Sequence, residues 1–321
     1  MDSEEPRGIL FGFLFIGDPH LSSRVPGFRS DDYPRAILHK LRWCFETASS
    51  RALVPVLLGD LFHWPRENAN WLVGEVLDLL PPETLAIAGN HDLGENSLQT
   101  HDTLSVILKS GRLRLLSAEE PWRGEISGRE VILGGTSWGQ KFPSAFEVPT
   151  TGGARPLVFW ATHHDVSFPG YEEQARQKPR AIPGIDVVVN GHIHRHLPEV
   201  RSGETLWLNP GNIARVNRGD LTRAHRPGVL EITITADGWR AERLEVPHRP
   251  FDEVFHAALA ASASEAEPSR FIAGLAELVA RRTESGAGFE EFIRANSTQF
   301  EPEVAFEIGS LAAEVLAGRS K

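Results

Sequence analysis

The chain has 321 residues, 41% of them apolar, one cysteine, and a formal net charge of −10 from 33 basic and 43 acidic side chains. That length buries a full core and leaves room for an appendage, while the lone Cys44 excludes an intramolecular disulfide and points to a reducing, cytoplasmic compartment. The acidic balance excludes a surface built generally for polyanions, although it leaves room for a local basic groove.

The apolar run from Ile9 to Ile16 is the first predicted strand. It is too short to span a bilayer, and Met1 to Pro6 is acidic where a secretory leader needs positive charge, so no membrane association is expected. From Asp32 to Ser50, Ile37, Leu41, Cys44, Phe45 and Ala48 fall at helical spacing behind Asp32 and Pro34 as start signals. A buried strand follows at Val56 to Leu58, started after Pro55 because a proline has no donor for the middle of a sheet. Leu72, Val73, Val76, Leu77 and Leu80 repeat the helical pattern until Pro81-Pro82 stops it, and Thr84 to Ala88 is the third strand. This alternation predicts an α/β sheet with its ligand site beyond the carboxyl ends of the strands.

After Leu113 the pattern turns to hairpin-like β pieces punctuated by Gly128 and Gly134-Gly135, so a second sheet is expected. Leu157 to Ala161 and Ile185 to Val189 are further buried strands, and Val229 to Thr235 and Trp239 to Val246 form a pair around the Asp237-Gly238 turn. A domain edge falls near Pro247 to Pro250, dividing a body of residues 1–250 from a helical C-terminal region of 251–321. In that region Phe271, Leu275, Leu278, Val279 and then Val304, Ile308, Leu311, Val315 lie at helical spacing around a linker at Ala261 to Ser269. From Phe251 onward 12 acidic residues face 6 basic ones, so the body, with 31 and 27, is only mildly acidic.

Five polar clusters follow predicted strands in order: Asp18-Pro19-His20, Gly59-Asp60, Gly89-Asn90-His91-Asp92, His163-His164 and Gly191-His192-Ile193-His194. Carboxylate, amide and imidazole ligands in this number suit two borderline divalent ions, manganese foremost, with iron or zinc as alternatives, and not a magnesium-only site. A phosphodiester repels nucleophiles and has a poor leaving group. Two metals about 4 Å apart meet both difficulties by lowering the pKa of a bridging water and holding the phosphate oxygens. Asp60, with two oxygens, is the natural bridge, and the glycines before Asp60, Asn90 and His192 let the chain turn sharply at a strand end. Either histidine of the His163-His164 pair could serve as a ligand.

Taken together, these motifs resemble the calcineurin-like metallophosphoesterase superfamily over residues 10 to about 246. The resemblance implies an α/β fold in which a two-sheet β-sandwich is flanked by helices, with the small helical C-terminal segment outside it. It implies that Asp18, His20, Asp60 and His194 surround one ion and Asp60, Asn90, His163 and His192 the other. It also implies that His91 stands outside the metal shell and either gives a proton to the leaving oxygen, a contribution of ~10² to 10⁴-fold, or steadies the phosphate. Where the protein-phosphatase branch carries a second Asp, this chain has Gly59-Asp60-Leu61-Phe62-His63, followed by Trp64-Pro65-Arg66. That form is similar to the DNA-processing nucleases of the SbcD type. In that reading Asp92 orients His91, His63 touches the scissile phosphate and Trp64 is a candidate to stack on a base.

Asn209-Pro210-Gly211-Asn212 resembles the turn after the last metal motif and leads into Arg215, Arg218, Arg223 and Arg226; Arg24 and Arg29 lie in a second loop. Of these, Arg215 has the best context for binding substrate phosphate. The leading expectation is a two-metal phosphodiesterase that cuts DNA, as an exonuclease or endonuclease in repair. Its partners would be DNA and, through the C-terminal helices, an ATPase or a second copy. The rivals are an enzyme for phosphoproteins or small nucleotides using the same site, and a noncatalytic protein-binding scaffold.

Overall fold

The computed structural model describes residues 10–26, 29–148, 154–217 and 219–255. In chain order the elements are β1 (Gly12–Ile16), α1 (Tyr33–Ser50), β2 (Leu53–Leu57), α2 (Asn70–Leu79), β3 (Thr84–Ala86), α3 (Thr103–Lys109), β4 (Leu113–Leu115), β5 (Trp122–Ile126), β6 (Arg129–Thr136) and β7 (Leu157–Thr162). They continue as β8 (Val187–Asn190), β9 (Leu197–Ser202), β10 (Thr205–Asn209), α4 (Asp220–Ala224), β11 (Gly228–Thr235), β12 (Gly238–Glu245) and α5 (Phe251–Val254). The strands form two six-stranded mixed sheets, ordered β12-β11-β1-β2-β3-β4 and β5-β6-β7-β8-β10-β9. This is the two-sheet α/β sandwich that the resemblance implied.

The central strands read as continuous apolar runs because both of their faces are covered. Phe13 and Phe15 of β1 meet Phe159, Ala161, Val187 and Val189 in the core between the sheets. The alternate residues Leu14 and Ile16 face Ile37, Leu41, Cys44 and Phe45 of α1. On the second sheet the outward set, Val158, Trp160, Val188 and Trp207, packs under Phe142, Phe168, Ile182 and Ile185. These come from loops, so helices cover the first sheet and connecting segments cover the second. No helix among the described residues is long and apolar enough to cross a membrane.

Asp32 caps α1, its side chain accepting from Arg35 N, and Pro34 sits in the first turn. Against expectation, Pro55 lies inside β2 and opposite Leu14. The Leu57 carbonyl accepts from Ile87, so the donor that Pro55 lacks belongs on the β3 side, where the ladder begins only at Val56–Leu85. The missing bond falls just beyond the end of the shorter neighbour. The hairpin of β9 and β10 and the short α3 were not anticipated. β9 alternates buried and exposed residues too irregularly to read as a strand in isolation.

The chain divides into two compact units, Met1–Ala257 and Ala258–Lys321. Helix α5 belongs to the first: Ser30 N donates to Val254 O, and the Arg29 guanidinium lies over the Phe255 ring. The amphipathic segments expected from Phe271 onward lie outside the described residues.

Candidate metal centre and active site

Parallel pairing of β1, β2 and β3 in one sheet and of β6, β7 and β8 in the other puts their carboxyl ends together. Each sheet delivers ligands to one place. Asp18 and His20 follow β1, Asp60 follows β2, Asn90 follows β3, His163 follows β7, and His192 and His194 follow β8. Backbone bonds across the seam fix the arrangement: His192 N donates to Asp18 Oδ1 at 3.0 Å, and His163 Nδ1 meets the Leu58 carbonyl at 2.6 Å.

The backbone is strained where the ligands sit. Asp18, His20, Asp60 and His192 have φ of 40°, 47°, 50° and 69°, in the left-handed region that side chains other than glycine avoid. Such strain persists only where the surroundings over-determine it, and it collects at functional sites. Room is equally limited. A Cβ on Gly89 would stand 2.1 Å from Asp60 Oδ1, and one on Gly59, itself at φ 91°, would stand 2.6 Å from His163 Nδ1. The two glycines therefore let the loops close around the carboxylate as well as turn.

Among the described residues three groups of possible ligands result: Asp18 with His20 and His194, Asp60 with His163 and His192, and His20 with His63 and His91. Asp60 touches the first two: its Oδ2 lies 3.7 Å from His20 Nε2 and 3.4 Å from His163 Nε2. Asn90 Oδ1 joins the second group, 3.2 Å from His163 Nε2 and 3.0 Å from His192 Nδ1. His20 Nε2 and His194 Nε2 face each other at 2.9 Å. Two imidazole nitrogens brought this close, beside a buried carboxylate, would suit a shared cation.

The fully buried Asp18 Oδ2 has no hydrogen-bond partner, which is costly for a carboxylate oxygen unless a cation meets it. Burial pushes the Asp18 carboxyl up to about 8, helped by the nearby Asp60 charge. Burial also acts on Asp60, but the His163 charge and hydrogen bond hold it well below the usual carboxylate range. Conversely, burial works against a charged His163 and is outweighed by Asp60, which raises it to about 9. A crowded set of buried acids and imidazoles with an orphaned oxygen fits divalent cations.

Around this centre the structure sorts the remaining candidates. His91 N donates to Asp60 Oδ1 at 2.7 Å, and His91 Nδ1 meets the His63 carbonyl at 2.8 Å. A carbonyl only accepts, so Nδ1 carries a proton and Nε2 is the nitrogen left for chemistry. The His63 ring stacks on His91 with centroids 5.1 Å apart, and its Nδ1 is 3.4 Å from His20 Nδ1. The expectation that Asp92 orients His91 is corrected. The Asp92 carboxylate accepts from Gly89 N and Phe62 N, bracing two ligand loops, and the main chain of His63 takes the orienting role. Of the paired histidines, His163 enters the centre, while the His164 ring turns away to Thr162 Oγ1 and the Gln140 carbonyl.

Arg215 is also corrected. It is 5% exposed, with Nε and Nη2 on the His225 carbonyl and Nη1 on the Arg249 carbonyl. A guanidinium occupied by main-chain carbonyls has no fork to offer a phosphate. Nearby arginines are likewise paired: Arg29 with Asp31, Arg24 with Glu67, Arg223 with Asp252 and Arg226 with Glu245. Arg218 lies outside the described residues.

Two residues that the sequence reading missed belong to the site. Asp165 Oδ1 lies 2.8 Å from His192 Nε2, fixing the ring so that Nδ1 faces Asn90 and His163. The Trp138 ring centroid stands 4.8 Å from that of His192 and forms a wall there. An acid two positions beyond His163 was visible, but its partner is 27 residues away in sequence.

Residues 11–196 match the family model described as calcineurin-like phosphoesterase. The chain belongs to the calcineurin-like phosphoesterase family. That membership, with the His and Asp groups described above, makes it a metal-dependent phosphoesterase; members of the family bind divalent metals. No curated protein matches the sequence. Among solved structures, this calcineurin-like phosphoesterase is similar to a hypothetical protein from Thermus thermophilus, at 12% identity and a TM-score of 0.41 over 73% of this chain and 99% of that one. A protein from Streptococcus pneumoniae described as a predicted phosphoesterase matches at 12% identity and a TM-score of 0.32, over 75% of this chain and 92% of that one. Vps29 from Chaetomium thermophilum matches at 11% identity and a TM-score of 0.30, over 76% and 98%. At these values a likeness bears on neither substrate nor partner.

Proposed function

We propose that the chain is a two-metal phosphodiesterase whose substrate is the DNA backbone, with Asp18, His20, Asp60 and His194 holding one ion and Asp60, Asn90, His163 and His192 the other. The observation that carries the hydrolytic reading is that Asp60 contacts histidines of two ligand groups, with Asp18 Oδ2 buried and unpartnered beside them at the strand ends. When bound, the divalent ions would polarise the phosphate and make a water nucleophilic near neutral pH.

The chain's own residues do the rest. As an imidazolium, with its Nδ1–H held by the His63 carbonyl, His91 gives its Nε2 proton to the departing alkoxide oxygen. Asp165 keeps the tautomer of His192, and Asp92 braces the loops that carry Asp60 and Asn90. His63 stands at the mouth of the centre beside Trp64, which is 42% exposed and offers a flat apolar ring there. The Gly59-Asp60-Leu61-Phe62-His63 motif supports DNA over a phosphoprotein. With Arg215 turned inward, the chain must meet the strand through other groups.

The test is a panel of metal-supplemented reactions with bis-aryl and mono-aryl phosphates, cyclic nucleotides and single- and double-stranded DNA. Cleavage of DNA that weakens steeply with salt is expected, because phosphate contacts release counterions. Hydrolysis of the monoester alone would assign the site to a phosphatase instead.

A further inference from the structure

A cavity of about 540 Å³ opens beside the metal centre, within the usual size of a small-molecule site. It is lined by Trp138, Gln140, Lys141, Asp165, Arg176 and Arg180 among others. Two of these join it to the centre: Asp165 bonds His192 at 2.8 Å, and the Trp138 ring lies 4.8 Å from the His192 ring. The cavity is therefore the next compartment after the ligand side chains, on the β7 and β8 side.

Its charge is unbalanced. Lys141, Arg176 and Arg180 face one carboxylate, Asp165, which is already engaged by His192 and Tyr171. Arg176 reaches Asp165 only at 3.5 Å from a largely exposed side chain, a contact of small worth that leaves most of its donors unused. Arg180 touches the Phe142 and Pro143 carbonyls at 3.4 and 3.3 Å through one nitrogen. Three cations, an amide and an indole face around one cavity make a receptor for a compact anion attached to a flat or apolar group.

We propose that this cavity is a subsite for a second phosphate of the substrate, beside the phosphate that is cut, with Lys141, Arg176 and Arg180 setting that preference. The proposal rests on the phosphodiesterase reading for the position of the cut. The second phosphate could reach the cavity along a nucleic-acid strand or as part of a nucleoside diphosphate, and both present the same anionic phosphoryl group.

The test uses the full-length, metal-loaded protein and has a binding arm and a turnover arm. Calorimetry compares thymidine 5′-monophosphate with thymidine 3′,5′-bisphosphate, which mimics a strand, and with thymidine 5′-diphosphate, which mimics the anhydride. At least one doubly phosphorylated ligand should bind ~10-fold more tightly than the monophosphate, in line with one well-made charged contact pair. The better of the two names the source. The double variant K141Q/R176Q, which leaves Arg180 alone in the cavity, should lower that preference severalfold while leaving monophosphate affinity and metal content unchanged. In the turnover arm, the same variant should raise KM for the p-nitrophenyl ester of thymidine 5′-phosphate that carries a 3′-phosphate, without changing kcat. The ester lacking the 3′-phosphate should be unaffected.

Equal affinity for singly and doubly phosphorylated ligands, or an equal loss for both in the variant, would overturn the subsite. Should preferential binding hold with no turnover of either ester, the subsite stands and the hydrolytic reading fails. Turnover of both esters without a binding preference means the reverse: hydrolysis stands and the subsite is lost.

Discussion

At the scale of single residues, ligation and proton transfer are separable. Asp60 contacts histidines of two ligand groups, so Asp60→Asn should strip bound metal as well as abolish turnover. The hydrogen bond from His91 to Asp60 comes from the backbone N–H, which the substitution keeps, so His91→Asn should keep full metal content and lose ~10² to 10⁴-fold in rate. Metal analysis alongside initial rates distinguishes them; wild-type turnover in His91→Asn would remove its assigned role. Asp165 acts one step out. Removing it in Asp165→Ala frees the His192 ring and should weaken metal binding by ~10 to 100-fold, read by competition with a chelator. Arg215→Ala should leave KM unchanged and lower Tm by roughly 5 to 10 °C, because it orphans the carbonyls of His225 and Arg249. That outcome is opposite to the one for an arginine that binds phosphate.

At the scale of elements, α1 reports on how the second half of the chain is anchored to the first sheet. Its Lys40 is buried and donates from Nζ to the Ile213 carbonyl at 2.7 Å, in the connection that leads to β11. Burial, with Arg29 and Arg215 close by, pulls its ammonium down from 10.5 to about 7. Between about 7 and 10.5 the unfolded chain binds the extra proton, so this group makes stability rise with pH across that window. Below about 7 the cost of burying the charge is fully present. Lys40→Met removes the titration. Thermal melts should show the difference, wild type minus Lys40→Met, growing in favour of wild type as pH rises from about 7 towards 10.5. A difference independent of pH would mean that Lys40 ionises normally in the fold. Other features of the elements were legible: Asp32 capping α1, Pro34 in its first turn, and α2 ending before Pro81-Pro82. Pro55 inside β2 was not, because its tolerance depends on β3 starting one residue later.

At the scale of the molecule, every candidate ligand lies in the unit Met1–Ala257. Where that unit ends matters. A chain stopped after Ala257 keeps Phe251, Val254 and Phe255, which are buried and linked to Ser30 and Arg29. It should fold and load metal like the whole protein. A chain stopped after Pro250 loses all three and should melt several degrees lower; burying one such side chain is worth ~1.5–3 kcal/mol. Circular dichroism and metal content on the two fragments check this. Equal stability would mean that α5 is not part of the body.

The sequence alone determined the strand and helix alternation, the five ligand motifs and the family they resemble. Each of these is written in local order: apolar period, caps, and a polar cluster after each strand. Tertiary structure decided what those groups face. Asp165 reaching His192, the His63 carbonyl holding His91, Trp138 walling the centre and Arg215 turning inward are contacts between segments far apart in the chain or directions of a single side chain. Residue type and spacing say which groups are near a strand end. Only packing of the two sheets fixes where each side chain points.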